Sequence, residues 1–395
     1  MTNTYQDYFD ALGFKESSSV SNGAQNYAIE NPFGFIGKYQ FGEAALFDLG
    51  YYGTDNSDSN LFRNDWVGNW SGKNGINSKQ DYFNNGAMQE IIIQEWHDVL
   101  WERIQFLGLD KYAGQILNGN QITASGMMSV AHLLGAGSSS SDTAGLKGYL
   151  VSGAVFNTAD GNGTTANTYM NLFAGFQTPF TVDHNEAEII AGGTGKDVLT
   201  GFAGDDTLIG NENTDTAAYR GNATDYEVNQ NTNGNWTITH KNGGSDGTDT
   251  LEEIERIQYA DISLAIDLSG NAGITAKTLG AVFGQESIAN ETLAGIGLNL
   301  LDDGIGNEAL MQLAINAALG NKATNHTAVV DLLYENVVGF APTAADEAHF
   351  VGLLESGIHT VASIGIMAAD TALNEENIDL VGLSQTGLEY LFTTV

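Results

Sequence analysis

Residues 188–219 read EIIAGGTGKDVLTGFAGDDTLIGNENTDTAAY, and at a period of nine they align as GGTGKDVLT, GFAGDDTLI and GNENTDTAA. Asp197, Asp206 and Asp215 share one column, with Leu199 and Leu208 two positions further on. One period upstream, Glu188 occupies the acid column and Ile190 the leucine column. A Gly-Gly-x-Gly-x-Asp-x-apolar-x repeat has a mechanical meaning. Its glycines permit backbone turns closed to other residues, its leucines point into a thin core, and its Asp side chains and exposed carbonyls bind Ca2+. Each half-turn supplies part of a site, so the half-turn two repeats away must complete it. The expected pairs are Asp197 with Asp215 and Glu188 with Asp206, giving about two Ca2+ ions held by oxygen ligands alone. Gly193, Gly195 and Gly204 are the turn positions that belong to this ligand set.

These residues resemble the repeats-in-toxin family of secreted bacterial proteins, whose repeats wind into a parallel β-roll. The first two repeats carry the resemblance most fully, and Asn211 and Asn213 stand where the third would have glycine.

The composition agrees with a calcium partner. The 395 residues include 14 basic and 49 acidic side chains, a net charge of −35. Before residue 180 there are 8 basic and 17 acidic residues, and after it 6 and 32, so the second half carries most of the repulsion. Such a chain is not expected to bind nucleic acid or an anionic membrane unaided. No apolar run approaches the ~18 residues a membrane span needs, so membrane insertion is not expected. Without cysteine, an exported chain of this size needs another staple, and calcium can serve as one. The opening MTNTYQDYFDALGF has no basic segment, apolar run or small-residue cleavage site, so a cleaved secretory signal is not expected. The family resemblance implies an extracellular location reached by type I secretion, with the apolar end GLEYLFTTV as an uncleaved signal.

Residues 1–180 form the first expected domain. Apolar spacing predicts helices over Gln6–Lys15, Met88–Leu107 and Ser125–Leu134, the second stopped by Gly108. Phe14-Lys-Glu16-Ser, then NPFGFIGKYQFGEAAL over 31–46, then AHLLGAG over 131–137 follow one another in order. Together they resemble the lysozyme-like fold of lytic transglycosylases and goose-type lysozymes. That resemblance makes Glu16 the catalytic acid acting on the β-1,4 bond of peptidoglycan. It places Tyr39, Gln40 and His132 around the glycan, although a histidine on so apolar a segment also suits a core. A glycosidic acid must be kept protonated by an apolar setting, and Phe14 and the apolar helix around His132 are candidates for that setting. The N-acetyl group of the sugar can replace a second carboxylate in this family. Trp66 and Trp70 fit either sugar stacking or loop anchoring. Asp160, in the acidic loop DGNGT, is a further metal candidate.

Beyond the repeat, YEVNQ and WTITH flank Asn233-Gly234 and predict a β-hairpin. Leu251, Ile254, Ile257 and Tyr259 are expected to cover the end of the repeat array, which needs a cap. From about Asn271 onward, segments of helical spacing mostly end at glycine. This part resembles a helical domain of secreted bacterial proteins; it fits either a contact module through which the chain self-associates or a plain helical bundle that helps the chain fold or leave the cell.

The expected fold is mixed α and β: a lysozyme-like α domain over 1–180, a calcium-binding parallel β-roll with a hairpin cap over 181–270, and a helical bundle over 271–395. The leading expectation is a secreted calcium-binding peptidoglycan glycosidase or lytic transglycosylase. The alternative is a non-catalytic extracellular surface or matrix protein that self-assembles with calcium.

Overall fold

The structure, a computed structural model, describes residues 3–20, 25–53, 62–153, 163–180 and 184–391. Asp160 and residues 392–395 lie outside the described residues. The chain divides into two compact units, 1–183 and 184–395.

The first unit is built on helices. α1 (Tyr5–Ser17) opens with a capping box in which Thr4 and Asp7 satisfy each other's backbone N–H. Its buried face is Tyr8, Phe9 and Leu12, at helical spacing. Two six-residue helices follow, α2 (Glu43–Asp48) and α3 (Lys79–Asn84). α4 (Gly86–Phe106) buries Ile92, Ile93, Trp96, Leu100 and Ile104, with His97 among them. α5 (Ala124–Leu134) is buried along Ser125–Ala131 and starts from a Thr123 cap. The Tyr8 hydroxyl meets Ser129 Oγ at 2.7 Å, tying α1 to α5. α6 (Ala166–Leu172) closes the described series. Apolar spacing locates α1, α4 and α5 but not α2, α3 and α6, which are too short to display a helical period.

The second unit begins with the repeat. Four short strands, β1 (Ile189–Ala191), β2 (Val198–Leu199), β3 (Thr207–Ile209) and β4 (Thr216–Ala218), follow at the nine-residue period. Alternate strands pair in parallel, Ile190 with Leu208 across β1 and β3, and Leu199 with Ala217 across β2 and β4. Successive repeats therefore fall on two separate sheets. The chain then leaves the repeat for an antiparallel hairpin, β5 (Tyr226–Gln230) and β6 (Trp236–His240), turning at Gly234 as the sequence predicts.

It returns with β7 (Thr248–Glu252) and β8 (Arg256–Gln258). β7 pairs in parallel with β3, and β8 in parallel with β4. The first sheet therefore runs β1-β3-β7-β6-β5. In the second, β2, β4 and β8 are followed by the antiparallel strands β9 (Ser263–Ala265) and β10 (Leu388–Tyr390). Ile190, Leu199, Leu208, Ala217, Leu251 and Ile257 form the column between the sheets, each at most 1% exposed. Leu251 and Ile257 thus continue the core of the repeat rather than merely covering its end. Ile254 and Tyr259 are buried beside them.

Helices complete the second unit: α7 (Asn271–Phe283), α8 (Glu291–Asp302), α9 (Asn307–Leu319), α10 (His326–Val338), α11 (Ala344–Glu355), α12 (Val361–Ala369), α13 (Ala372–Asn377) and α14 (Leu380–Thr386). One core joins Met311, Ile315, Val329, Leu333 and Ile364 of α9, α10 and α12. A second joins Ala276 and Leu298 to Leu388 and Tyr390 of β10. No break falls at 270/271, because β10 hydrogen-bonds to β9 and Arg256 of β8 pairs with Asp302 of α8. Part of the segment read as an uncleaved C-terminal signal forms a sheet strand at Leu388–Tyr390.

Candidate metal centre

Each strand of the repeat is preceded by a turn that ends on an acid, and strand pairing stacks those acids. The main-chain N–H of Glu188 donates to Asp206 Oδ1 at 2.8 Å, and that of Asp197 to Asp215 Oδ1 at 2.8 Å. The same bond recurs beyond the repeat. Asp206 N–H donates to Asp249 Oδ1 at 3.0 Å, and Asp215 N–H to Glu255 Oε2 at 2.9 Å. One carboxylate oxygen of each stacked acid is thus fixed by the backbone of the turn below it.

The second oxygens have a different fate. Asp197 Oδ2 accepts the Gly193 N–H at 2.5 Å. Asp206 Oδ2 and Asp215 Oδ2 are buried and find no hydrogen-bond partner among the described residues. Their residues are 2% and 0% exposed, where an unmatched charged oxygen carries a large desolvation cost.

The glycine column shows where these oxygens point. A Cβ on Gly192 would stand 2.4 Å from Asp197 Oδ2 and 2.8 Å from the Gly210 carbonyl oxygen. On Gly210 it would meet Asp215 Oδ2 at 2.7 Å and the Glu253 carbonyl at 2.0 Å, and on Gly201 it would meet Asp206 Oδ2 at 2.5 Å. In the first two cases the acid of one turn and a carbonyl of the stacked turn converge on the space a side chain would fill. Gly204 holds φ +122°, a conformation L side chains rarely adopt. Asn211 and Asn213 take φ 73° and 77° in place of glycine, a region asparagine enters more readily than most residues. Their amides donate to the carbonyls of Gly192 at 2.9 Å and Thr194 at 2.6 Å, so the third repeat stays stacked on the first.

Crowding of carboxylates sets the electrostatics. Burial pushes Asp215 up to about 8, and the neighbouring Asp197 and Glu255 add to the shift. Burial likewise raises Asp249 to about 7, with Asp206 and Asp246 adding to it. Glu255 rises to about 7 by burial, with Asp267 nearby. Asp206 is raised by burial and by Glu188. Such shifts mark buried anions short of positive charge.

Among the described residues, no group of three or more His, Asp and Glu side chains is arranged to hold a metal ion by itself. The donor set here is instead two stacked carboxylates plus turn carbonyls, all oxygen, which suits a hard cation of flexible coordination. The unmatched buried oxygens and the glycine-lined space between turns fit Ca2+.

Residues 185–217 match the RTX calcium-binding nonapeptide repeat, in four copies. RTX nonapeptide repeats bind Ca2+, and the proteins that carry them are typically secreted. No curated protein and no solved structure matches the chain. Among the described residues, no helix is long and apolar enough to cross a membrane.

Glu188, Gly193, Gly195, Asp197, Gly204, Asp206 and Asp215 all lie inside the matched repeat. Asp249 and Glu255 lie outside it and were not anticipated. The signal was present: GSDGTDTLE over 244–252 follows the nine-residue pattern at Gly244, Gly247, Asp249 and Leu251. The intervening hairpin breaks the period that would have revealed it.

The residues expected around a glycan are placed differently from one another. Glu16 sits in the last turn of α1, half-buried, and its Oε1 accepts the Tyr169 hydroxyl at 2.6 Å. Phe14 is 62% exposed and does not shelter it; the ring beside Glu16 is Tyr169. Tyr39 is fully buried, its hydroxyl donating to Glu90 Oε2 at 2.5 Å, so its ring is a core group rather than a groove wall. Gln40 is 9% exposed and turns its amide onto the Gly37 carbonyl at 2.7 Å.

His132 Nε2 lies 3.1 Å from the Tyr39 carbonyl, and burial depresses its pKa to about 4. It is therefore neutral near pH 7, with Nε2–H the donor. Trp66 and Trp70 stack on each other with centroids 5.6 Å apart. Their loop is tied down by Glu43, which accepts the Trp66 N–H at 2.5 Å and the Tyr52 hydroxyl at 3.1 Å.

Proposed function

We propose that this is a secreted calcium-binding protein in which the repeat of the second unit is a β-roll stapled by Ca2+ and the first unit is a peptidoglycan glycosidase or lytic transglycosylase. The unmatched, buried Oδ2 atoms of Asp206 and Asp215, each inside a glycine turn, carry the calcium part. Parallel pairing at a separation of two repeats, with alternate strands on separate sheets, supports the β-roll reading. Calcium binding there neutralises carboxylates that otherwise destabilise the folded chain, so folding and ion uptake are coupled.

For the first unit, the supporting observation is Glu16 at the end of α1 with the Tyr169 hydroxyl on its carboxylate. A half-buried carboxyl at the end of a helix, held in one orientation by an aromatic hydroxyl, is positioned to exchange a proton with a glycosidic oxygen. The test is digestion of purified peptidoglycan by the full chain and by Glu16→Gln, with released fragments read by mass spectrometry. Wild type is expected to release muropeptides and the variant to lose at least 100-fold in rate. Anhydro-muramyl ends would assign a lyase and reducing ends a hydrolase. Equal release by wild type and variant would remove Glu16 from the chemistry.

A second reading is a non-catalytic surface or matrix protein that assembles with calcium through its helical part. The buried Tyr39 and the inward amide of Gln40 favour it, because neither offers its side chain to a glycan. Light scattering separates the two: this reading predicts particle growth on adding calcium and no peptidoglycan release.

A further inference from the structure

The hairpin β5–β6 interrupts the repeat without ending it. The turn 244–249 returns to stack on the turn 201–206, and its bonds reproduce those between matched repeats. Within the match, Thr207 N–H donates to the Glu188 carbonyl at 2.8 Å and Thr216 N–H to the Asp197 carbonyl at 2.9 Å. Across the hairpin, Thr250 N–H donates to the Asp206 carbonyl at 2.7 Å. The acid-to-backbone bond is also kept, Asp206 N–H to Asp249 Oδ1 at 3.0 Å. Thr248 N–H adds a bond to Asp205 Oδ1 at 2.8 Å. The fit is close enough that a Cβ on Gly247 would stand 2.0 Å from the Gly204 carbonyl oxygen. Asp249 is 1% exposed and its Oδ2 accepts the Tyr219 hydroxyl at 2.9 Å, while the buried Oδ2 of Asp206 in the facing turn has no partner among the described residues.

We propose that the turns 201–206 and 244–249 form a Ca2+ site outside the matched repeat, with Asp206, Asp249 and carbonyls of the two turns as ligands. This rests on the calcium reading above. It adds one site to those of the pairs Glu188–Asp206 and Asp197–Asp215. The next acid in the column, Glu255, ends the series. Only residues 253–255 stand between β7 and β8, where 210–215 separate β3 from β4, so this connection brings the Glu253 carbonyl to the Gly210 turn without the six-residue glycine turn of the other sites.

The consequence is that calcium fastens β7 and the hairpin to the repeat, coupling ion uptake to the fold beyond residue 217.

The experiment is native mass spectrometry of the full chain titrated with CaCl2, comparing wild type with Asp249→Asn. Asparagine can still accept the Asp206 N–H, so the shape is preserved while the charge is lost. Wild type is expected to take up three ions and the variant two, with matching calcium-free circular dichroism spectra. If the variant misfolds, the wild-type count decides alone: three supports the site, and two overturns it. Equal counts in the two chains also overturn it while leaving the matched repeats as calcium sites. No uptake by wild type would instead remove the calcium reading itself.

Discussion

The backbone N–H of Asp206 donates to the side chain of Asp249 at 3.0 Å, across 43 positions of sequence. The bond from Asp197 to Asp215 spans only 18 positions, yet it has the same form. The repeat is therefore a spatial motif before it is a sequence period. An insertion can lengthen the connection provided that the next turn returns in register. Here the inserted strands join the edge of β7, so the hairpin extends one sheet while the core column continues through Leu251.

Stacked acids make the calcium-free chain sensitive to pH in an unusual direction. Asp215 titrates near 8 and Asp249 and Glu255 near 7 in the folded chain, against about 4 when unfolded. Between those values the folded state holds more protons, so its stability falls as pH rises. Chemical denaturation in EDTA at pH 5 and pH 8 is expected to show the higher midpoint at pH 5. With saturating Ca2+ the order reverses, because the ion binds the deprotonated carboxylates.

Leu208 is fully buried between the sheets and pairs with Ile190 on one side and Leu251 on the other. Replacing it with alanine leaves a cavity that the hydrogen-bonded ladders on either side cannot collapse to fill. The expected loss is about 2–5 kcal/mol, read as a shift in urea midpoint with Ca2+ held constant. Leu383→Ala, at a half-buried position of α14, serves as the comparison and should cost less.

Arg256 links the repeat to the helices that follow. Its side chain is 3% exposed and bonds Asp302 of α8 at 2.7 Å as well as Asp267. Removing the guanidinium leaves two carboxylates near each other without their cation. Arg256→Met is expected to destabilise the chain by about 3–5 kcal/mol. Hydrogen exchange should show the faster opening in α8 and β8, with little change in α4. Uniform change across both units would contradict a local role.

The legible part of this chain was whatever repeats at short range. The nine-residue period exposed the acid and leucine columns, and two alternating segments around Asn233-Gly234 exposed the hairpin. Helical spacing found α1, α4 and α5. What periodicity does not carry was lost. Asp249 was hidden because the hairpin shifts its partner from 18 to 43 positions away. Phe14 lies two positions beyond the buried Leu12, on the other side of α1, and so faces solvent. Tyr39 sits in a loop without a period, where an aromatic residue gives no sign of facing a groove or a core. The continuity of residues 184–395 was also invisible, because the pairing of Leu264 with Glu389 is a contact between distant segments.

Thermal unfolding of the full chain in EDTA, in millimolar Mg2+ and in millimolar Ca2+ tests the central claim most directly. If stacked acids and turn carbonyls hold calcium, the midpoint rises with Ca2+ but not with Mg2+, whose small octahedral shell suits these sites poorly. At a free concentration a hundredfold above the dissociation constant, each site adds about 2.7 kcal/mol. Asp215→Asn should lose part of that gain. An unchanged midpoint in Ca2+, with the chain folded throughout, would contradict the account.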